Sequence, residues 1–310
     1  MSDSRRWPDF FVVGALKAGT TFLHNVLTKH PDIYMPARKE TRYFNYPEGE
    51  NTGRPPDAIC TAQDYCQLFV GASPDQLIGE ATPGYLASGT AIERISTTCP
   101  EAKIVILLRE PVSRLFAEFL MLRDRYQHDL PPFNELVEAG LAHRSRGEND
   151  VEDLIAHGEY GKFVPEWRKR MGHDNVGIFI FDDMVSNPEA FTARILQFLG
   201  VSPDKMRPEW FSASQNEYVV PRLTTIASIA KRPAIRAALR SLVPGFIWNN
   251  FLRKIVYKAV NKPLIDQATA DLIADFYRQD VLALEHGLGR SFPTLHFHSG
   301  KATHIMNEGS

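Results

Sequence analysis

The chain has 310 residues, 44% hydrophobic and 23% charged, an ordinary globular balance. A formal net charge of −2 excludes a chain that holds nucleic acid by bulk charge, so no nucleic-acid partner is expected. Cys60, Cys66 and Cys99 lack CxxC or Cys/His spacing, which argues against a disulfide framework and a zinc site; reduced thiols and no metal are expected.

Phe10 to Val13 is a continuous apolar run and predicts the first strand. Thr20 to Lys29 has apolar residues at helical spacing and predicts the first helix. The segment MSDSRRWPDF leads straight into that strand without an apolar stretch of signal-peptide length. No run reaches the roughly 18 apolar residues of a membrane span, so a cytoplasmic location is the expectation. Leu77 to Gly79 reads as a short strand, and Ile92 to Thr98 as a short helix ended by Pro100. Lys103 to Leu108, KIVILL, suits a strand buried on both faces of a parallel sheet. A helix follows, starting at Pro111 or Ser113. Asn175 to Phe181 is another buried-strand candidate, Pro188 to Gly200 a helix closed by glycine, and Ala268 to Gly287 a late amphipathic helix. Strands separated by helices imply βαβ units and a mostly parallel sheet. Residues 1–297 are read as a single domain, and 298–310, which lack periodicity, as a mobile tail.

Two motifs carry chemistry. In GALKAGTT, Gly14 and Gly19 let the chain turn tightly, Lys17 adds a charge, and Thr20 and Thr21 add hydroxyls at a helix N-terminus. Amides and dipole at such a terminus form an anion site, so phosphate or sulfate is a natural occupant. The lysine precedes the second glycine, which excludes a Walker loop, and there is no GxGxxG fingerprint. The plainer alternative is a strand–helix turn with a surface lysine. In KIVILLREP, Arg109 stands where a parallel strand leaves the sheet, the position at which α/β sheets bind ligands. Its guanidinium can fork onto a phosphate; alone, it would more simply be a structural ion pair. Together the two strand ends suit a ligand with two separate anionic groups.

The pair GALKAGTTFLHNVLTKHP and IVILLREPVSRLFAEF resembles the two cofactor-binding signatures of sulfotransferases that use 3′-phosphoadenosine 5′-phosphosulfate (PAPS). KETRYF at Lys39, GEATPGYL at Gly79, HGEYGKFVPEW at His157 and FDDMVSNPEAFTARILQFLG at Phe181 resemble the branch that includes heparan sulfate sulfotransferases and bacterial relatives. The resemblance runs from about Pro8 to Arg290. It implies an α/β fold with a P-loop-like central parallel sheet flanked by helices. It also implies a transferase that moves a sulfuryl group from PAPS, in line, to an acceptor hydroxyl on a sugar, a lipid or a secondary metabolite.

The resemblance assigns roles residue by residue. Lys17 would stabilise charge on the departing phosphate. Ala18, Gly19, Thr20 and Thr21 would cradle the 5′-phosphate, and Arg109 would hold the 3′-phosphate. The family's serine eight residues after that arginine is Ala117 here; Ser113, one turn closer on the same face, either substitutes for it or caps the helix. Glu40, which between Lys39 and Arg42 reads by itself as a solvated acid in a charged loop, matches the catalytic base of the heparan sulfate branch, and His24 is the alternative base, at a spacing that also fits a surface position. Glu80, Thr82 and Tyr85, with His24, would line the acceptor site, Thr82 alternatively serving as a turn residue before Pro83, and Arg222 would close over the cofactor.

From Tyr218 to Ile265 there is no Asp or Glu but nine Lys or Arg, interleaved with apolar residues. The bland reading of 222–262 is a helical hairpin on the core; the sharper one is peripheral contact of residues 235–260 with an anionic membrane. Two rivals stand beside the transferase. A nucleotide-dependent kinase would use Asp182 and Asp183 for a metal but lacks the Walker lysine. A non-catalytic binding protein on the same fold is favoured only by Ala117.

Overall fold

The computed structural model describes residues 6–50, 53–125, 128–146, 154–211, 219–221, 257–259 and 263–297. Arg222, nearly all of the basic segment and the tail 298–310 lie outside them. Five parallel strands form the central sheet in the order β2-β3-β1-β4-β5: β1 Phe10–Gly14, β2 Ile33–Tyr34, β3 Leu77–Ala81, β4 Lys103–Leu108 and β5 Val176–Ile180. β1 lies between β3 and β4, with Phe11 opposite Glu80 on one side and Ile104 on the other. Every residue of β1 is buried, as are Ile104 to Leu108, which is why these strands read as unbroken apolar runs. β5 is an edge strand with only its end residues buried, and Phe181 opens the next helix rather than extending the strand.

Helices flank the sheet. α1 (Thr20–Leu27) buries Leu23, Val26 and Leu27. α2 (Ala62–Gln67) is capped by Thr61, and α3 (Gly89–Thr98) by Ser88. α4 (Pro111–Leu120) runs into a π-helical turn over Met121–Arg125. α5 (Phe133–Ser145) and α6 (Tyr160–Met171) follow. α7 (Phe181–Ser186) leads into α8 (Pro188–Leu199), which ends at Gly200 with φ 81°. α9 (Gln267–Leu288) is capped by Asp266.

The sequence expectations miss β2, α2, α5, α6 and α7. Pro165 interrupts the reading of α6, yet Tyr160, Val164, Trp167 and Met171 form a buried stripe along it at helical spacing. α9 packs against α6. Asp280 accepts from the Gly161 amide at 2.8 Å, and the Tyr277 hydroxyl donates to the Ile155 carbonyl at 2.6 Å. β6 (Val219–Pro221) and β7 (Tyr257–Ala259) form a separate antiparallel pair.

Candidate active site

Three strand ends converge at one edge of the sheet. After β1 the chain turns through Ala15–Gly19 into α1, and the Ala15 amide donates to the Leu107 carbonyl of β4 at 2.6 Å. Lys17 has φ 65° and Gly19 φ 89°. A Cβ on Gly19 would also stand 2.6 Å from the Met184 methyl, so glycine is required twice over. α1 has no side-chain cap and no acid in its first turn, leaving its leading amides to an anion from outside. Ala18 and Thr20 are buried, whereas the Thr21 side chain is exposed beside those amides.

The Arg109 guanidinium joins this loop to β4. Its Nη1 donates to the Lys17 carbonyl at 3.0 Å, and its Cζ lies 4.6 Å from the centre of the Phe181 ring. Tyr160 fixes the same residue by donating to the Arg109 carbonyl at 2.8 Å. Burial weakens the hold of the guanidinium on its proton, and the charges of Glu110, Tyr160 and Asp182 oppose that effect. The Lys17 ammonium lies 3.5 Å from Met121 Sδ, in the π-helical turn.

Glu110, rather than Ser113, caps α4. Its carboxylate accepts from the Val112 amide at 2.7 Å and the Ser113 amide at 2.8 Å. Burial pushes the Glu110 pKa up, while the hydroxyl and amide of Ser113 favour its ionised form. The structure thus ties Ser113 to Glu110, and the helix N-terminus left without a side-chain cap is that of α1 and not of α4.

The third strand end carries Glu40. Its amide donates to the Ala81 carbonyl at the end of β3, at 3.0 Å. Glu40 and Arg42 have φ of 62° and 55°; with Lys17 they are the described non-glycine residues in the left-handed region. Such conformations are sparse and cluster at functional sites. Lys39 Nζ lies 2.6 Å from Glu40 Oε1, and the Glu40 side chain is 40% exposed. His24 is buried, not on the surface, and its Nε2 donates to the Pro36 carbonyl at 3.2 Å. Burial first, then the Lys39 charge, hold its pKa below the ordinary value; Glu40 acts in the opposite sense.

Glu80, Thr82 and Tyr85 lie beneath this loop instead of on the cleft wall, each at most 2% exposed. The Thr82 hydroxyl donates to Glu80 Oε1 at 2.6 Å. Asp183, one of the two carboxylates of the kinase reading, is engaged by Arg194 at 2.8 Å. Glu110, Phe181 and Tyr160 were not singled out from sequence. The acid directly before Pro111 was the available signal for the first, since a cap precedes proline at the first helical position.

A parallel sheet with an uncapped helix N-terminus after one strand and an arginine after its neighbour is the arrangement of an α/β protein suited to an anionic ligand at its strand ends. Within that class the chain belongs to the sulfotransferase family, whose model matches residues 8–205. It is 37% identical over 186 residues to the membrane-associated sulfotransferase kil1 of Dictyostelium discoideum, covering 59% of this chain and 36% of that protein. It is 26% identical over 204 residues to the mouse heparan sulfate glucosamine 3-O-sulfotransferase 3B1, covering 64% of this chain and 47% of that protein. The alignments therefore span less than half the length of these relatives. A crystal structure of a sulfotransferase from Alicyclobacillus acidocaldarius superposes with a TM-score of 0.66 at 24% identity, covering 94% of this chain and all of that one, and shows the same fold.

Proposed function

We propose that the protein transfers a sulfuryl group from PAPS to an acceptor hydroxyl. The observation that carries this reading is the bond from Arg109 to the Lys17 carbonyl, which sets the two anion-binding motifs side by side at the ends of β1 and β4. The residues present fit the co-substrate. The uncapped amides of α1, with Ala18, Gly19, Thr20 and Thr21, would take the 5′-phosphate end. Arg109 would take the 3′-phosphate, with Ser113 beside it and Arg222 contributing from outside the described residues. PAPS supplies the sulfuryl group and a phosphate leaving group. Lys17 places a cation where leaving-group charge develops. Glu40, on its left-handed turn at the end of β3, accepts the proton of the acceptor hydroxyl. The products are a sulfate ester and adenosine 3′,5′-bisphosphate.

The acceptor proposed is a glycan, lipid or small-molecule hydroxyl. Peripheral membrane contact through 235–260 is supported by the charge pattern of that segment and by the description of the Dictyostelium relative as membrane-associated. Calorimetric titration of adenosine 3′,5′-bisphosphate against 5′-AMP and ATP tests the donor site. Preference for the bisphosphate, reduced at least tenfold in Arg109→Lys by loss of the fork geometry, is the expected result. Equal affinity for bisphosphate and 5′-AMP would remove the 3′-phosphate site and with it this reading.

A further inference from the structure

Among the described residues, Glu80 Oε2 is the one buried carboxylate oxygen that completes no hydrogen bond. The residue is fully enclosed under the loop that carries Glu40. Its other oxygen is held by Thr82. The hydroxyls of Tyr85 and Thr41 also act on the carboxyl. They meet one another at 3.0 Å, and Tyr85 accepts from the Phe44 amide at 3.3 Å. Tyr65 from α2 and Lys39 from the loop are the further titratable groups whose charge bears on Glu80.

Thr41 is the residue between the two left-handed positions, Glu40 and Arg42. Its hydroxyl points inward to Tyr85 and accepts from the Tyr43 amide at 3.4 Å, while its carbonyl accepts from the Ile59 amide at 3.0 Å. A backbone turn with two L-residues in the left-handed region persists only where its surroundings over-determine it. The Thr41 side chain is the anchor that enters the protein at this turn, and the polar group at the bottom of that anchor is Glu80.

We propose that Glu80 is a positioning residue for Glu40, acting through the Tyr85 and Thr41 hydroxyls on the turn that carries the base. This rests on the assignment of Glu40 as base. Burial holds the Glu80 pKa up at about 7, so near neutrality a large share of the protein carries a proton on this carboxyl. Oε2 is left to accept a hydroxyl proton from the Tyr85–Thr41 pair, and the pair transmits its orientation to Glu40. Glu80 contacts neither reactant.

The test uses the full chain and the variants Glu80→Leu, Glu80→Gln, Thr41→Val and Thr41→Ser. Hydrogen exchange across residues 37–46 reports the turn, because the Glu40 amide is bonded to Ala81. In Glu80→Leu and Thr41→Val, exchange there should accelerate about tenfold, with residues 14–21 unchanged and bisphosphate affinity retained. Glu80→Gln and Thr41→Ser, which keep a side-chain carbonyl acceptor and a hydroxyl, should retain protection. PAPS turnover with water and with p-nitrophenol as surrogate acceptors supplies the second readout. Glu80→Leu should lower kcat about tenfold in the wild-type background and not at all in a Glu40→Gln background. An equal loss in both backgrounds, or acceleration of exchange spread evenly through the chain, overturns the proposal. A Glu40→Gln variant as fast as wild type removes the base assignment instead, and leaves the exchange result to stand on its own.

Discussion

Replacing Glu80 by glutamine should make the protein more stable at alkaline pH and leave it nearly unchanged at acid pH. Glu80 is raised from 4.5 to about 7, chiefly by burial, with Thr82, Tyr85 and Thr41 opposing. An acid with a raised folded pKa keeps its proton in the folded state while the unfolded chain releases its own. The folded state therefore binds more protons between about pH 4.5 and 7, and stability falls as pH rises through that window. A rise of this size corresponds to about 3 kcal/mol in total, most of which falls between pH 5 and 8.5. Glutamine has the same shape, still accepts from Thr82, and does not titrate. Urea denaturation of wild type and Glu80→Gln at pH 5 and 8.5 measures the difference directly. The gap between the two proteins should open by that amount at the higher pH. A gap that does not change with pH would mean that Glu80 titrates near its unfolded value, and the idea of a buried, proton-holding carboxyl would fall.

Removing the anion from the buried Arg114–Glu118 pair should be far more costly than its place away from the site suggests. Both side chains are at most 4% exposed, and His157 Nδ1 also leans on Glu118 at 3.0 Å. Glu118→Ala leaves a guanidinium in the interior without its partner and should cost about 3–5 kcal/mol, read by denaturant midpoint. Gly161→Ala should destabilise by at least ~2 kcal/mol, because the added Cβ would meet the Asp280 carbonyl oxygen at 2.3 Å, a backbone atom that moves only if α9 moves. Lys17→Met should lower sulfuryl transfer by about 10²–10³-fold while bisphosphate affinity changes less, since the ammonium acts mainly on charge formed during reaction; steady-state kinetics beside calorimetry separates the two.

The central strands were legible because burial on both faces of a parallel sheet leaves an unbroken apolar run, as in β1 and β4. The helices that escaped reading had reasons of their own. α2 has only six residues, too few for a period to show. α5 buries a single residue, Val137, so it has no continuous apolar stripe to read. α6 has such a stripe but carries Pro165 inside it.

For the site, local signals and tertiary ones must be kept apart. Lys17, Gly19 and Arg109 belong to segments whose chemistry is set by a strand end and a helix start, and those are written in the adjacent residues. The depth of GEATPGYL was not. The resemblance set Glu80, Thr82 and Tyr85 on the acceptor cleft, yet β3 lies between β1 and β2, and the Glu40 loop folds over its end. A polar residue is placed at the surface by sequence reasoning because burial without partners is costly. Here Thr82 supplies one partner, and Tyr85 and Thr41 stand by to supply the other, so the cost is largely met within the fold. That arrangement converts Glu80 from a residue that could touch an acceptor into one that reaches the chemistry only through the backbone above it. The same loop explains why Glu40 itself reads as an ordinary solvated acid between Lys39 and Arg42. Its distinguishing feature is a backbone angle of 62°, which no side-chain pattern announces.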